Sequence, residues 1–278
     1  MPRTLTIGHS PDADDAFMFY ALTHNKIDTR GYEFRHHIQD IESLNRLAQR
    51  GELEITAVSL HAYAHLSDRY ALLACGASVG NGYGPILVSR EPLTLQELAG
   101  RTIAVPGTLT TAFLTLQLAL PGCQHLVVPF DQILDAVSGG KADAGLVIHE
   151  GQLTYIDHGL HKVADLGEWW KCETGLPLPL GVNVIRRDLG EKTMTEVAGL
   201  LRQSIEYALS HREESLDYAL TYGRGIDTTR ADKFVGMYVN DHTRDLGEDG
   251  RAGVTTLLTR AHAAGVIPVL PALDFISG

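Results

Sequence analysis

His149 closes an apolar run, in the stretch LVIHEGQLTY (146–155), with Glu150 beside it. A strand that serves only a core ends on a turn residue. A strand that brings an imidazole to the mouth of a cleft supplies the side chain best suited to take a proton near neutral pH. A strand-end histidine bonded to a carbonyl explains the pattern as simply, so the neighbouring residues have to argue for chemistry. In VPGTLTTAF (105–113), Thr108, Thr110 and Thr111 stand where a Pro-Gly turn leads into a helix start. Free N–H groups and the positive dipole end at such a start hold a carboxylate or phosphate, and hydroxyls can join them. Ordinary N-capping needs only one of these threonines. Ser59 ends the run ITAVS (55–59) and reads as a cap for the next helix or as a hydroxyl reaching the same cleft from another lobe. Glu150 is placed to orient His149 or to hold it charged.

Other constellations are less specific. His61 and His65 have the i, i+4 spacing of helical metal ligands but lack a glutamate and a third ligand, so a solvated or cleft-lining helix is the better reading and no metal is expected. His36 and His37 are adjacent and fall on opposite faces of a strand. In SPDADDAF (10–17), Asp12, Asp14 and Asp15 precede a helical run, where acidic residues suit the dipole. The stretch GASVGNGYGP (76–85) is neither a P-loop nor a dinucleotide fingerprint; it reads as a tight turn or as a backbone wall of a cleft. No serine or cysteine sits in a nucleophile elbow.

The elements that must position these residues alternate. Strands are predicted over 4–8, 55–59, 71–76, 85–90, 102–107, 125–130, 144–149 and 181–187, most as continuous apolar runs suited to burial on both faces. Helices are predicted over 14–25, 40–51, 93–100, 110–120 and 131–142; Asp40 is placed to cap the second and Gly51 to stop it. From about residue 190 the chain turns helical, with Val197, Leu200, Leu201, Ile205, Ala208 and Leu209 on one face. The proline-broken segment 266–275 reads as extended over the surface. The pattern is α/β. Two strands, 84–90 and 178–187, read as crossings between lobes, so residues 1–91 with 183–278 would form an outer lobe and 92–182 an inserted one, with the cleft between them.

Composition bounds the function. With 278 residues and 44% hydrophobic content the chain can bury full cores. A net charge of −11 argues against nucleic acid as a partner. Three dispersed cysteines, no secretory signal and no apolar run of membrane length lead us to expect a cytoplasmic protein without disulfides that acts on a small molecule.

Four segments, IGHSPDADDAFMFYAL (7–22), VPGTLTTAF, GLVIHEGQLTY (145–155) and TGLPLPLG (174–181), together resemble the 1,4-dihydroxy-6-naphthoate synthases of the futalosine route to menaquinone. These lie within a larger menaquinone-enzyme family built like type II periplasmic binding proteins. The resemblance runs from residue 5 to 265. It implies a bilobal α/β fold, no cofactor, and a lyase that cleaves cyclic dehypoxanthine futalosine to release the naphthoate from its sugar-derived part. The family's proton acceptor falls on His149, its hydroxyl pair on Thr110 and Thr111, and its binding triplet on Ala57, Val58 and Ser59. The sequence departs from the pattern twice. The first motif is commonly S-P-C-P-N-D-T-F and here reads SPDADDAF, and the triplet often opens with lysine where this chain has Ala57. Two other readings remain: a solute-binding protein of the same fold, which would need no histidine base, and the related chorismate dehydratase, which should lack the histidine of VIHE.

Overall fold

The structure, a computed structural model, describes residues 3–222 and 227–278. The chain runs β1 (Arg3–His9), α1 (Ala13–Thr23), β2 (Tyr32–Ile38), α2 (Ile41–Arg50), β3 (Ile55–Ser59), α3 (Leu60–Tyr63), β4 (Tyr70–Leu73) and β5 (Ser78–Gly80). It continues through β6 (Ile86–Ser89), β7 (Thr102–Val105), α4 (Thr111–Ala119), β8 (Gln124–Val127), α5 (Ile133–Ser138), β9 (Ala144–Val147), α6 (Gly151–Thr154), β10 (His161–Asp165) and α7 (Leu166–Thr174). It returns with β11 (Leu178–Arg186) and ends in α8 (Glu191–Ser210), α9 (Arg212–Leu220), α10 (Thr228–Tyr238), α11 (Asp241–Arg244), α12 (Gly247–Ala263) and β12 (Phe275–Ile276).

These strands make two mixed sheets. The first has the order β12-β4-β11-β3-β1-β2, with β5 on the leading part of β11; the second has the order β10-β6-β9-β7-β8. Strand β11 lies antiparallel between β3 and β4, which do not pair with each other. Each sheet is clothed on both faces, as near-continuous apolar strands require. In the first, α1 and α8 pack Phe17, Leu201 and Ile205 over Ile7 and Ile55, while Tyr63, Trp170 and Leu257 cover Val58, Leu72 and Val184 on the other side. In the second, Phe113 and Leu116 cover Ile103 and Leu146, and Ile133 and Val137 cover Val88 and Ala104. The fold is two-lobed α/β.

Local chemistry explains the elements. Asp40 caps α2 through the Ser43 N–H at 3.1 Å, and Gly51 ends it in the left-handed region at φ +72. Helix α1 is buried from Ala13 to Leu22, so it has no solvent face: it lies under α8 and α9. Several expectations shift. Ile86–Ser89, read as part of the outer lobe and as a crossing strand, pairs antiparallel with β9 in the second sheet, and β11 lies wholly in the first. The second sheet therefore begins at Ile86 rather than at 92, and the crossings are made by 81–85 and the segment leading into Leu178. The helix expected over 93–100 is reduced to a single turn of 3₁₀ helix at Gln96–Leu98. Strand β10 was not anticipated, and β2 only as the strand carrying His36 and His37; both are edge strands rich in charge and histidine. The tail does run extended, but Phe275 and Ile276 join the first sheet beside β4. Among the described residues, no helix is long and apolar enough to cross a membrane.

The glycine-rich stretch serves as turn and wall at once. Gly76 lines the interlobe cleft at φ +78, and its carbonyl accepts from Asn183 Nδ2 at 2.8 Å. A Cβ at Gly76 would stand 2.3 Å from that nitrogen. We expect Gly76→Ala to cost about 1–3 kcal/mol of stability through the left-handed backbone and the clash. A fall in the urea midpoint at unchanged m-value is the measurement; an unchanged midpoint would contradict this account of the glycine.

Candidate active site

Strand β9 stops at Val147, and two residues later the backbone turns left-handed: His149 has φ +54. Only Asn25 and Arg30 share such a φ among the described non-glycine residues. Histidine tolerates this region better than branched residues do, and such outliers gather at functional sites. The turn ends the apolar strand and starts α6 in the space of three residues, with Glu150 at its cap position. The imidazole is thereby aimed across the cleft. Its Nδ1 lies 2.8 Å from Oδ2 of Asp12, and Phe130 meets the ring edge-to-face at 5.0 Å. Glu150, the neighbour in sequence, accepts instead from the Ala13 N–H at 3.3 Å. The carboxylate on the His149 Nδ1 thus comes from the opposite lobe. Sequence adjacency pointed to Glu150; the signal for Asp12 was present in SPDADDAF but had the sufficient explanation of a helix cap.

That explanation is half of the answer. Asp12 does cap α1, accepting from the Asp15 N–H at 3.3 Å. Asp12, Asp14 and Asp15 are 2%, 6% and 6% exposed, and each brings an oxygen within 4.8 Å of the others. Three buried carboxylates so close cannot all be charged. Burial alone would push Asp12 up, but the charge and hydrogen bond of His149 outweigh it and hold the carboxyl below the usual range. Burial, then the charges of Asp12 and Asp15, push Asp14 well up. Burial and then Asp12 raise Asp15 too, against the pull of the Ser10 N–H at 2.6 Å. Asp12 is thus the first of the cluster to ionise, and Asp14 and Asp15 keep their protons to higher pH.

The start of α4, after the neighbouring strand β7, lines the same cleft. Thr110 is its cap: Oγ1 accepts from the Phe113 N–H at 3.2 Å and donates to the Gly107 carbonyl at 2.9 Å. Thr111 Oγ1 donates to the Leu180 carbonyl at 2.6 Å and accepts from the His61 N–H at 3.2 Å, so the second hydroxyl ties the helix to the first lobe. Both threonines line the cleft with Ala112, and the first amides of α4 have no partner within the helix. Thr108 is not among the lining residues. On β3 the two-residue period splits the expected triplet: Ala57 and Ser59 line the cleft, whereas Val58 points the other way into the core beside Leu72 and Val184. The side chain of Val58 therefore lies in the core and not at the cleft, where the resemblance had led us to expect it. Ser59 has the cap position of α3 without a capping bond; Asn45 holds it instead, through Oγ at 3.1 Å and N–H at 2.8 Å. Asn45 was missed, although a fully buried polar residue between Leu44 and Leu47 was visible as an interruption of an apolar face.

The remaining histidines have other duties. His61 Nδ1 meets the Thr110 carbonyl at 3.3 Å, and burial with the nearby His65 brings its pKa to about 4. His36 points inward to His9 Nε2 at 3.0 Å, while His37 lies on the other face of β2. The cleft itself, about 690 Å³ with its mouth included, is closed at one side by Gln152 of α6 and Tyr238 of α10, whose hydroxyl donates to Gln152 Oε1 at 2.8 Å. At the rim, Arg230 grips Asp157 with two bonds of 2.5 and 3.1 Å. The strand-end histidine can accept a proton, and the helix start beside it can hold an anion.

A family model described as menaquinone biosynthesis matches residues 5–263. Over 273 residues the chain is 42% identical to a 1,4-dihydroxy-6-naphtoate synthase of Streptomyces coelicolor, covering 96% of each. It is 41% identical to the enzyme of the same name from Thermus thermophilus, covering 99% of this chain and 100% of that one. A solved structure from Archaeoglobus fulgidus matches with a TM-score of 0.91 at 49% identity, over 95% of this chain and 98% of that one. The alkanesulfonate-binding protein of Xanthomonas axonopodis matches with a TM-score of 0.73 at 14% identity, covering 100% and 99%, a likeness of fold alone.

Holding Asp14 protonated carries a stability cost with a definite sign. Its folded-state pKa lies above the unfolded value of 3.8. Above that folded value, burial penalises the charge, and between the two values the folded chain must keep a proton that the unfolded chain releases. Below 3.8 the penalty vanishes. Asp14→Asn should therefore raise the thermal midpoint at neutral pH, with a gain that shrinks toward pH 4. A midpoint gain independent of pH would contradict the protonated state.

Proposed function

This chain belongs to the menaquinone biosynthesis family, and from that premise we propose that it is a cytoplasmic, cofactor-independent carbon–carbon lyase. Its substrate is cyclic dehypoxanthine futalosine and its product 1,4-dihydroxy-6-naphthoate. The observation that carries the reading is that His149 and the start of α4, set at the ends of the neighbouring parallel strands β9 and β7, line one cleft. The relatives named 1,4-dihydroxy-6-naphtoate synthase support it over nearly the whole chain.

In this reading the substrate carboxylate sits at the N-terminus of α4. There the amides of Thr111 and Ala112 and the dipole favour an anion. Ser59, held by Asn45, offers a hydroxyl from the first lobe. Ala57 leaves room where the family often has a lysine. An ionised carboxylate only accepts hydrogen bonds, so the nitrogen of His149 facing Asp12 carries the hydrogen and Nε2 is the basic atom. Nε2 takes a proton from the substrate, and aromatisation of the new ring drives the bond cleavage. The imidazolium that results lies against the Asp12 carboxylate, which stabilises the charge as it develops.

The test is turnover of cyclic dehypoxanthine futalosine, followed by product absorbance and mass. Wild type should form the naphthoate, and His149→Ala should lower kcat by about 10²–10⁴-fold. Equal rates would remove His149 as the base. Binding without product in the wild type would favour a solute-binding protein instead.

A further inference from the structure

We infer that Asp12 is the positioning residue of His149, and that the two form an acceptor dyad split between the lobes. The inference rests on the reading of His149 as the base.

The geometry supports it from both sides. Asp12 belongs to the turn before α1 in the first lobe, and His149 to the turn after β9 in the second. Their contact of 2.8 Å leaves no space for an intervening water. Asp12 is itself fixed by its role as helix cap, and the Ala13 N–H next to it is held by Glu150. Two adjacent residues of one lobe thus meet two adjacent residues of the other. Phe130 stands edge-on to the imidazole and limits rotation of the ring. With Nδ1–H directed to a carboxylate, Nε2 is left as acceptor. Without the carboxylate the tautomer is not fixed, and the wrong one presents a hydrogen to a substrate that has one to give. The proton balance is simple: Nε2 gains the substrate proton, Nδ1–H stays with Asp12, and Nε2 returns its proton to product or solvent.

Two variants separate this role from helix capping. Asparagine and serine cap helices about as well as aspartate, yet Asp12→Asn lacks the charge and Asp12→Ser lacks the reach. In long-range proton–nitrogen spectra of histidine-labelled protein, with the His149 signals identified by their loss in His149→Ala, wild type near neutral pH or above should carry the neutral-ring hydrogen on Nδ1. Asp12→Ser should move the population toward the Nε2–H form. In turnover, Asp12→Asn and Asp12→Ser should each lower kcat at least 10-fold while KM changes less than 3-fold, and Asp12→Ser combined with His149→Ala should be no slower than His149→Ala alone. An Nε2–H form in wild type, a tautomer unmoved in Asp12→Ser, or a full additive loss in the double variant overturns the dyad. If wild type does not turn over cyclic dehypoxanthine futalosine, the substrate assignment fails while the nitrogen spectra still decide the dyad. Equal rates in wild type and His149→Ala defeat both.

Discussion

A carboxylate out of reach of water needs a partner of opposite charge or a proton. Three of them crowd the start of α1, and one meets the imidazole of His149 from the other lobe. Much of the cleft follows from that division. Asp12 stays ionised because an imidazole arrives from the other lobe; Asp14 and Asp15 are pushed toward neutrality by burial and by the charge beside them. The lobes are therefore joined by a histidine–aspartate contact inside the cleft, a tyrosine–glutamine bond beside it and an exposed arginine–aspartate pair. The inner contact is shielded from salt and the outer one is not. On the far side the α4 start is held to the first lobe by neutral bonds through Thr111 and His61.

What could be read from the sequence follows physical lines. Buried strands announce themselves by apolar runs, so β1, β3, β4, β6, β7, β9 and β11 were legible within a few residues. Helix limits were legible where a cap carried the signal, as at Asp40, Gly51 and Thr110. Edge strands gave no such signal: β2 alternates half-buried and exposed polar residues, and β8 was expected to be buried yet leaves Val127 exposed. At the site, types and positions pointed to His149 and the threonine turn, but partners did not follow. Asp12 and His149 are far apart in the chain, and a nearer carboxylate offered itself in Glu150. Val58 was lost for a local reason, since a strand cannot send adjacent side chains to the same cleft.

The departures in the first motif gain a physical meaning. Asp12 stands where the family pattern has a cysteine, and a thiol is a weak hydrogen-bond partner that at neutral pH is largely uncharged. A carboxylate there gives His149 a strong acceptor. Asp14 stands where the pattern has asparagine, a neutral side chain of the same shape, and the raised pKa of Asp14 returns this position toward neutrality. One substitution changes the electrostatics of the site; its neighbour is buffered by burial.

Strand order also governs how the chain assembles as it is made. Strands β3 and β4 leave a gap that only β11 fills, and β12 completes the edge from the last residues. The first sheet cannot close until residues 178–186 have left the ribosome, whereas every strand of the second lies between 86 and 165. The second lobe can thus finish while the apolar faces of β3 and β4 still wait for their central neighbour. Pairing at such sequence distance is slow and leaves strand edges open to other chains. The insertion of β11 is, during synthesis, the step on which solubility depends.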